Sequence, residues 1–215
     1  GLLTADEQIG EDVTELFNFL TAYSEPDKYQ KLLVSPSNLR PKLIELIRRE
    51  TAHAKNGHPA RIIAKLNRLA DREIVETLYE ASNAGVKIDL TVRGICTLRP
   101  GVAGMSKNIT VRSIVGRLLE HSRVYYFQNN GHEEIFMGSS DWMARNFDRR
   151  VEVLTPVEAE NLKTYLRDEY LAAYLRDNVH AQILGPNGRY SRVEIRSDED
   201  RFDAQETFQY GTGVF

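Results

Sequence analysis

Apolar residues recur at helical spacing from the start of the chain, where Val13, Leu16, Phe17 and Leu20 predict a helix within residues 1–27. Lys31–Val34 reads as a strand that stops at Ser35-Pro36. A helix follows from about Leu39 to Lys55, with Pro41 in its first turn, Leu43, Ile44 and Ile47 as its stripe, and Asn56-Gly57 as its stop. Arg61–Leu66 is a short, mostly apolar strand. Asp71 then has the side chain to cap a helix with the stripe Ile74, Val75, Leu78 and Tyr79, ending at Gly85. Val86–Val92 is a third strand. Three strands joined by two helices predict successive βαβ units, hence an α/β fold with a right-handed, parallel sheet and helices on both faces.

After Arg93 the pattern changes. Gly94 to Asn108 contains Pro100, Gly101 and Gly104 and reads as a long loop, a length more often functional than decorative. Arg123–Phe127 and Glu134–Met137 predict a hairpin around Asn129-Asn130-Gly131, and Arg150–Leu154 a further strand. Pro156 is expected to break the chain before a periodic helix from Val157 to about Val179. From Gly185 the chain is polar, with six acids and two bases between Glu194 and Glu206, and is expected to wrap the surface or dock on a partner. The division this predicts is a helical connection over 1–27 from a preceding domain, an α/β domain over 28–184, and a polar tail over 185–215. The opening Gly1-Leu2-Leu3, without a Met, points to a fragment.

Composition narrows the function classes. The formal charge of the 215 residues is −3, which offers no global basic balance for nucleic acid. The single cysteine, Cys96, rules out an internal disulfide, and no clustered Cys/His spacing suggests a metal site. No apolar run approaches the ~20 residues of a membrane helix. The expectation is a soluble cytoplasmic protein, with membrane association left open. Charge placement says more than the total. Residues 1–27 hold seven acids and no base, Arg40 to Arg72 hold nine bases against three acids, and Leu90 to Leu119 hold five bases and no acid. A basic run is usually a solvated face, but this acid-free one leads directly into His121 and predicts an anion funnel.

His121-Ser122-Arg123 opens a predicted strand, and Gly138-Ser139-Ser140-Asp141-Trp142 follows the next. An imidazole can carry or donate a proton, or attack phosphorus, near neutral pH. A long cation holds phosphate oxygens, and a Gly-Ser turn can offer N–H groups and hydroxyls to the same charge. This layout suits phosphoryl chemistry and makes His121 the principal candidate. Arg93 ends a central strand, where open parallel sheets bind ligands and where a guanidinium suits bidentate phosphate recognition. Ser139, Ser140, Asp141, Asn146, Arg150 and Glu152 are candidates for a polar network behind the histidine. His53-Ala54-Lys55 has a similar spelling, but it ends a helix, where a histidine and a lysine simply suit the dipole. Cys96 reads as a small packed hydrophobe and Trp142 as core.

These residues resemble the phospholipase D superfamily signature, His-x-Lys-x4-Asp followed by a Gly-Ser turn and an Asn. Arg123 stands in place of the lysine, Gln128 in place of the aspartate, and Asp141 near the asparagine. That degenerate form is similar to the carboxy-terminal domain of polyphosphate kinases of the long-chain-synthesising type. Further segments carry the resemblance over roughly residues 1–182: Leu2-Leu3-Thr4, Arg61-Ile62-Ile63-Ala64-Lys65-Leu66-Asn67, Leu78-Tyr79-Glu80-Ala81-Ser82, Val92-Arg93-Gly94-Ile95-Cys96, Ser113-Ile114-Val115-Gly116-Arg117, Leu119-Glu120-His121-Ser122-Arg123 and Ser140-Asp141-Trp142-Met143-Ala144-Arg145-Asn146.

The resemblance implies a phospholipase D-like sheet and reversible transfer of the terminal phosphate of ATP to polyphosphate through a phosphohistidine. It implies that the nucleophilic histidine belongs to an upstream domain, that His121 assists transfer, and that Arg93 binds ATP. Arg123, Ser139, Asp141, Asn146 and Arg150 would support them. ATP and ADP, polyphosphate, Mg²⁺ with ligands outside this chain, the upstream domains and a homo-oligomer are the implied partners. Two alternatives stand beside this reading: a phospholipase D-type phosphodiesterase or nuclease with His121 as nucleophile, and a non-catalytic anion-binding module.

Overall fold

Local capping and one buried carboxylate set the first helices. The computed structural model describes residues 1–21 and 28–210. Helix α1 (Glu7–Leu20) begins where Asp6 accepts the Ile9 N–H at 2.9 Å. Of the expected stripe it buries only Leu16: Phe17 and Leu20 are 61% and 52% exposed and Val13 is exposed too, while Ile9 and Asp12 face inward with Leu16. The reason is Asp12, whose carboxylate accepts the N–H groups of Gln30, Lys31 and Leu32 at 2.8, 2.7 and 2.8 Å. These charge-assisted bonds turn the helix so that Ile9 and Leu16 meet Tyr29, Leu32 and Val34. The end of the expected 1–27 segment, residues 22–27, lies outside the described residues.

Strand β1 (Leu33–Ser35) leads into α2 (Leu39–Lys55), then β2 (Arg61–Leu66), α3 (Arg72–Asn83) and β3 (Lys87–Val92), all close to their expected bounds. Asp71 caps α3 by accepting the Ile74 N–H at 3.1 Å. Leu39, Leu43, Ile47, Ile74 and Leu78 are fully buried against the Ile62, Ala64, Leu66, Ile88, Leu90 and Val92 side of the sheet. Each such aliphatic contributes roughly 1.5–3 kcal/mol by leaving water.

The sheet is mixed, which corrects the expected parallel array. Its order is β1-β7-β6-β5-β2-β3-β4-β8-β9. β1 pairs antiparallel with β7 (Glu152–Val157) at the far edge. The antiparallel neighbours β5 (Val124–Phe127) and β6 (Glu134–Gly138) stand between β7 and β2. Parallel pairing links β2 to β3 and β3 to β4 (Ile109–Ile114). The tight turn through Asn129 and Asn130, both at positive φ, lets β5 and β6 pair directly and take the edge of β2 that β1 was expected to hold. β4 was not anticipated, although its buried Ile109 and Val111 alternate with exposed Thr110 and half-buried Arg112.

Pro156 does not break the chain. It lies inside β7 beyond the reach of β1, which pairs only with residues 152–154, so its missing N–H leaves no ladder partner unsatisfied on that side. After short α4 (Ala144–Asp148) and β7, a C-terminal helix runs through α5 (Glu160–Thr164), a π-helical stretch (Tyr165–Leu171) and α6 (Ala172–Arg176). Leu166, Tyr170, Leu171 and Leu175 cover the face formed by Ile63, Val124, Tyr126, Ile135 and Val157. Helices therefore cover both faces, as expected. The stretch after the C-terminal helix is structured: β8 (Ala181–Leu184) and, beyond residue 184, β9 (Tyr190–Arg192) extend the sheet, and α7 (Ala204–Tyr210) packs against α6. Among the described residues no helix is long and apolar enough to cross a membrane.

Candidate functional site

Strand direction gathers the chemistry at one edge of the sheet. β2 and β3 run parallel and end at Leu66 and Val92, which places Asn67 and Arg93 side by side. β5 starts opposite the end of β2, with Lys65 against Val124, and so brings Arg123 to the same edge. β6 returns to that edge at Gly138, beside the start of β7. Residues far apart in sequence thus meet where the carboxyl ends of the parallel strands lie.

Asp141 is the hub. It is 4% exposed and accepts the Asn67 N–H at 2.8 Å and Arg123 Nε at 2.9 Å, with a second guanidinium nitrogen of Arg123 at 3.3 Å. Arg123 also donates to the His121 carbonyl at 2.7 Å. On the other side Asn67 Oδ1 accepts Arg93 Nε at 2.9 Å. One hydrogen-bonded chain therefore runs Arg93–Asn67–Asp141–Arg123–His121. Its floor is rigid: Trp142 is fully buried, stacks on Tyr125 with centroids 5.1 Å apart, and its carbonyl accepts the N–H groups of Ala70 and Asp71. Trp142 is core, as its composition suggests.

Arg93 is half-buried and lines a small cleft with Lys65, Asn67, Thr91, Glu120 and Tyr174. Asn67 is 6% exposed, and its Nδ2 is buried without a hydrogen-bond partner. A buried amide donor left unpaired costs on the order of 1–3 kcal/mol unless something accepts from it. A buried unpaired donor beside a guanidinium suits an anion. His121 is exposed on the segment between β4 and β5 and makes no side-chain hydrogen bond among the described residues.

The other candidates stand apart from this chain of bonds. Asn146 Nδ2 donates to Glu152 at 2.6 Å, and Arg150 lies 3.8 Å from the same carboxylate. These three form their own cluster, tied to β1 through Ser35, whose hydroxyl accepts the Glu152 N–H and donates to the Arg150 carbonyl. The Gly138-Ser139 turn does not offer its N–H groups. Gly138 donates to the Arg123 carbonyl at 3.2 Å and Ser139 to the Val153 carbonyl at 3.0 Å, extending the pairing of β6 with β5 on one side and β7 on the other. The acid-free run is also a thinner funnel than its charge count implies. Arg112 turns inward to the carbonyls of Tyr174 and Leu175, and burial lowers its pKa. Arg99 donates to the Pro186 carbonyl. Cys96 packs against the core, where burial pushes its thiol up to about 11, so it is no nucleophile.

Three neighbours of this edge were not singled out as candidates from sequence: Asn67, Lys65 and Glu120. Lys65 is 6% exposed within an apolar strand, pairs with Glu120 at 2.7 Å, donates to Ser122 Oγ at 3.0 Å, and sits 4.3 Å from the Tyr174 ring centroid. A lysine inside an otherwise apolar strand was the available signal. Burial alone would raise the Glu120 carboxyl. The Lys65 charge and bonds from Lys65, Tyr174 and Gln205 outweigh it and hold the pKa below the ordinary value.

Comparison with known proteins agrees in one direction. The sequence profile described as polyphosphate kinase C-terminal domain 2 matches residues 32–205. The chain is 51% identical over 208 residues to the polyphosphate kinase of Synechocystis sp., covering 97% of this chain and 28% of that protein. It is 53% identical over 205 residues to that of Neisseria meningitidis serogroup B, covering 95% and 30%. It superposes on the crystal structure of polyphosphate kinase from Porphyromonas gingivalis with a TM-score of 0.90 at 39% identity, covering 95% of this chain and 31% of that one. The chain thus spans less than a third of the length of these relatives.

Proposed function

Because the chain belongs to the polyphosphate kinase C-terminal domain family, we propose that it supplies the phosphate-handling half of an enzyme that moves the terminal phosphate of ATP reversibly onto polyphosphate. The observation that carries this reading is the bonded chain from Arg93 to the His121 main chain, with the unpaired Asn67 amide beside it. Arg93 and Asn67 Nδ2 hold phosphate oxygens of ATP or polyphosphate. Arg123, locked by Asp141, anchors the His121 backbone at this edge, which keeps the imidazole within the neighbourhood of the bound anion. In the transition state the leaving oxygen gains charge, and a protonated His121 stabilises or protonates it. Ser139, Asn146 and Arg150 shape the neighbouring edge rather than bonding into this chain.

The attacking nucleophile is assigned to a phosphohistidine outside these residues, in the upstream domains. Of the five histidines, His53 bonds Asn129 and His180 pairs with Asp203, while His58 and His132 lie away from this edge, at the ends of α2 and of the β5–β6 turn. Magnesium fits poorly here. Among the described residues no group of three acidic, His or Cys side chains could hold a metal, and Asp141 and Glu120 are already neutralised by Arg123 and Lys65. The ion would arrive with ATP and be held elsewhere. The test is incubation of the purified 215-residue chain with γ-labelled ATP and Mg²⁺, alone and with the upstream half added. Polyphosphate binding without polymer synthesis by the chain alone, and synthesis on adding the upstream half, are the expected results. Stable labelling of His121 or full-rate synthesis by the chain alone would refute the division of labour.

A further inference from the structure

The segment that carries His121, residues 115–123 between β4 and β5, has little of its own to hold it in place. It lies outside the named strands, and Val115, Leu118 and Leu119 are 60%, 44% and 70% exposed. Lys65, Tyr174 and Arg123 hold its last residues, Glu120 to Ser122, and residue 118 is held from the far end of the chain. Gln205, 6% exposed on α7, accepts the Leu118 N–H at 2.9 Å and returns its amide to the Leu118 carbonyl at 2.9 Å and to Glu120 at 2.7 Å. The contact is close enough to require glycine nearby: a Cβ on Gly116 would collide with Gln205 Oε1 and stand 2.9 Å from its Cδ.

The tail itself is docked by buried polar side chains. Buried Asp177 accepts the N–H groups of His180 and Ala181 through one oxygen and that of Ala204 through the other. Asn178 accepts from Phe202 N–H and donates to the Asp200 carbonyl. These bonds anchor the start of α7 to the end of the C-terminal helix and so deliver Gln205 to residue 118. Glu120, fixed by Gln205, Lys65 and Tyr174 together, is the residue immediately before His121.

We propose that Gln205 is a positioning residue: through paired main-chain bonds to Leu118 and one bond to Glu120, the C-terminal tail sets where His121 stands relative to Arg93. This rests on the assignment of His121 to phosphoryl transfer. A displacement of about 1 Å at a reacting group can cost up to about 100-fold in rate, so removing three bonds from an otherwise exposed segment reaches the chemistry without touching it.

The experiment uses the full-length kinase and the variants Gln205→Met, His121→Ala and the pair. Gln205→Met, similar in volume but unable to bond, is expected to lower kcat about 10- to 100-fold with KM for ATP little changed. In the His121→Ala background it should change kcat by less than about twofold, since the group it positions is gone. Amide exchange should accelerate at residues 116–122 while β2 stays protected. Wild-type kcat in Gln205→Met, an equal loss in both backgrounds, or exchange that accelerates uniformly would overturn the positioning role and leave the His121 assignment intact. Full activity of His121→Ala would overturn both. If Gln205→Met proves unfolded, Gln205→Glu, which keeps one acceptor for Leu118 but sets a carboxylate against Glu120, provides the same comparison.

Discussion

Replacing Asp141 by alanine should be the most damaging single change at the sheet edge. Asp141 accepts from Asn67 N–H and twice from Arg123, and the side chains of the ion pair are 6% and 17% exposed. Removing one partner of a buried pair leaves the other charge uncompensated, at a cost of about 3–5 kcal/mol. The orphaned Asn67 N–H would add about 1–3 kcal/mol if independent, but it shares the same acceptor, so the total stays near the upper part of the first range. For a domain of this size each kcal/mol lowers Tm by roughly 2–4 °C, which predicts a fall of about 10–20 °C. Asp141→Asn keeps one acceptor for Asn67 and should lose about 1.5–3 kcal/mol. The chain has one tryptophan, Trp142, adjacent to the site, so urea titration followed by its fluorescence reads the change directly. Arg123→Ala and the double variant complete a cycle, with coupling of about 1.5–3 kcal/mol expected for residues in direct contact. A loss below about 1 kcal/mol for Asp141→Ala, or no coupling to Arg123, would refute the hub.

Arg93→Ala should weaken binding of polyphosphate or ATP by about 1.5–3 kcal/mol in isothermal titration, the worth of a charge-assisted bond, while exposed Arg48→Ala should not. The lowered Glu120 pKa predicts a contribution to stability that is complete above the unfolded carboxyl pKa and lost as pH falls through the lower folded value. Acid titration of Glu120→Gln should therefore show a shallower fall in stability below about pH 4.3 than wild type. Gly138→Ala should destabilise by about 2–3 kcal/mol in the same urea assay. A Cβ there would collide with the Val153 carbonyl and stand 2.9 Å from Leu154 Cα, backbone held by its pairing with β6 and β1.

Much of the secondary structure was legible because its causes are local. The Asp71 cap, the α2 stripe and the Asn129–Gly131 turn each act within a few residues, and the structure places all three as read. The family resemblance was legible for the same reason, since it rests on short local motifs. Strand partnership was not legible. β1 lies at the far edge instead of beside β2, because the tightly closed β5–β6 hairpin and its antiparallel neighbour β7 occupy that space. Nor could spacing show that Asp12 would rotate α1 against its own apolar stripe, or that Gly138 and Ser139 would give their N–H groups to β-pairing. The site is a product of strand direction. Asn67, Arg93, Arg123 and Asp141 become neighbours because β2, β3 and the β5–β6 hairpin all present one end to the same edge. The clamp from Gln205 spans 87 residues to Leu118, a separation at which no local propensity acts and only tertiary packing brings the groups together.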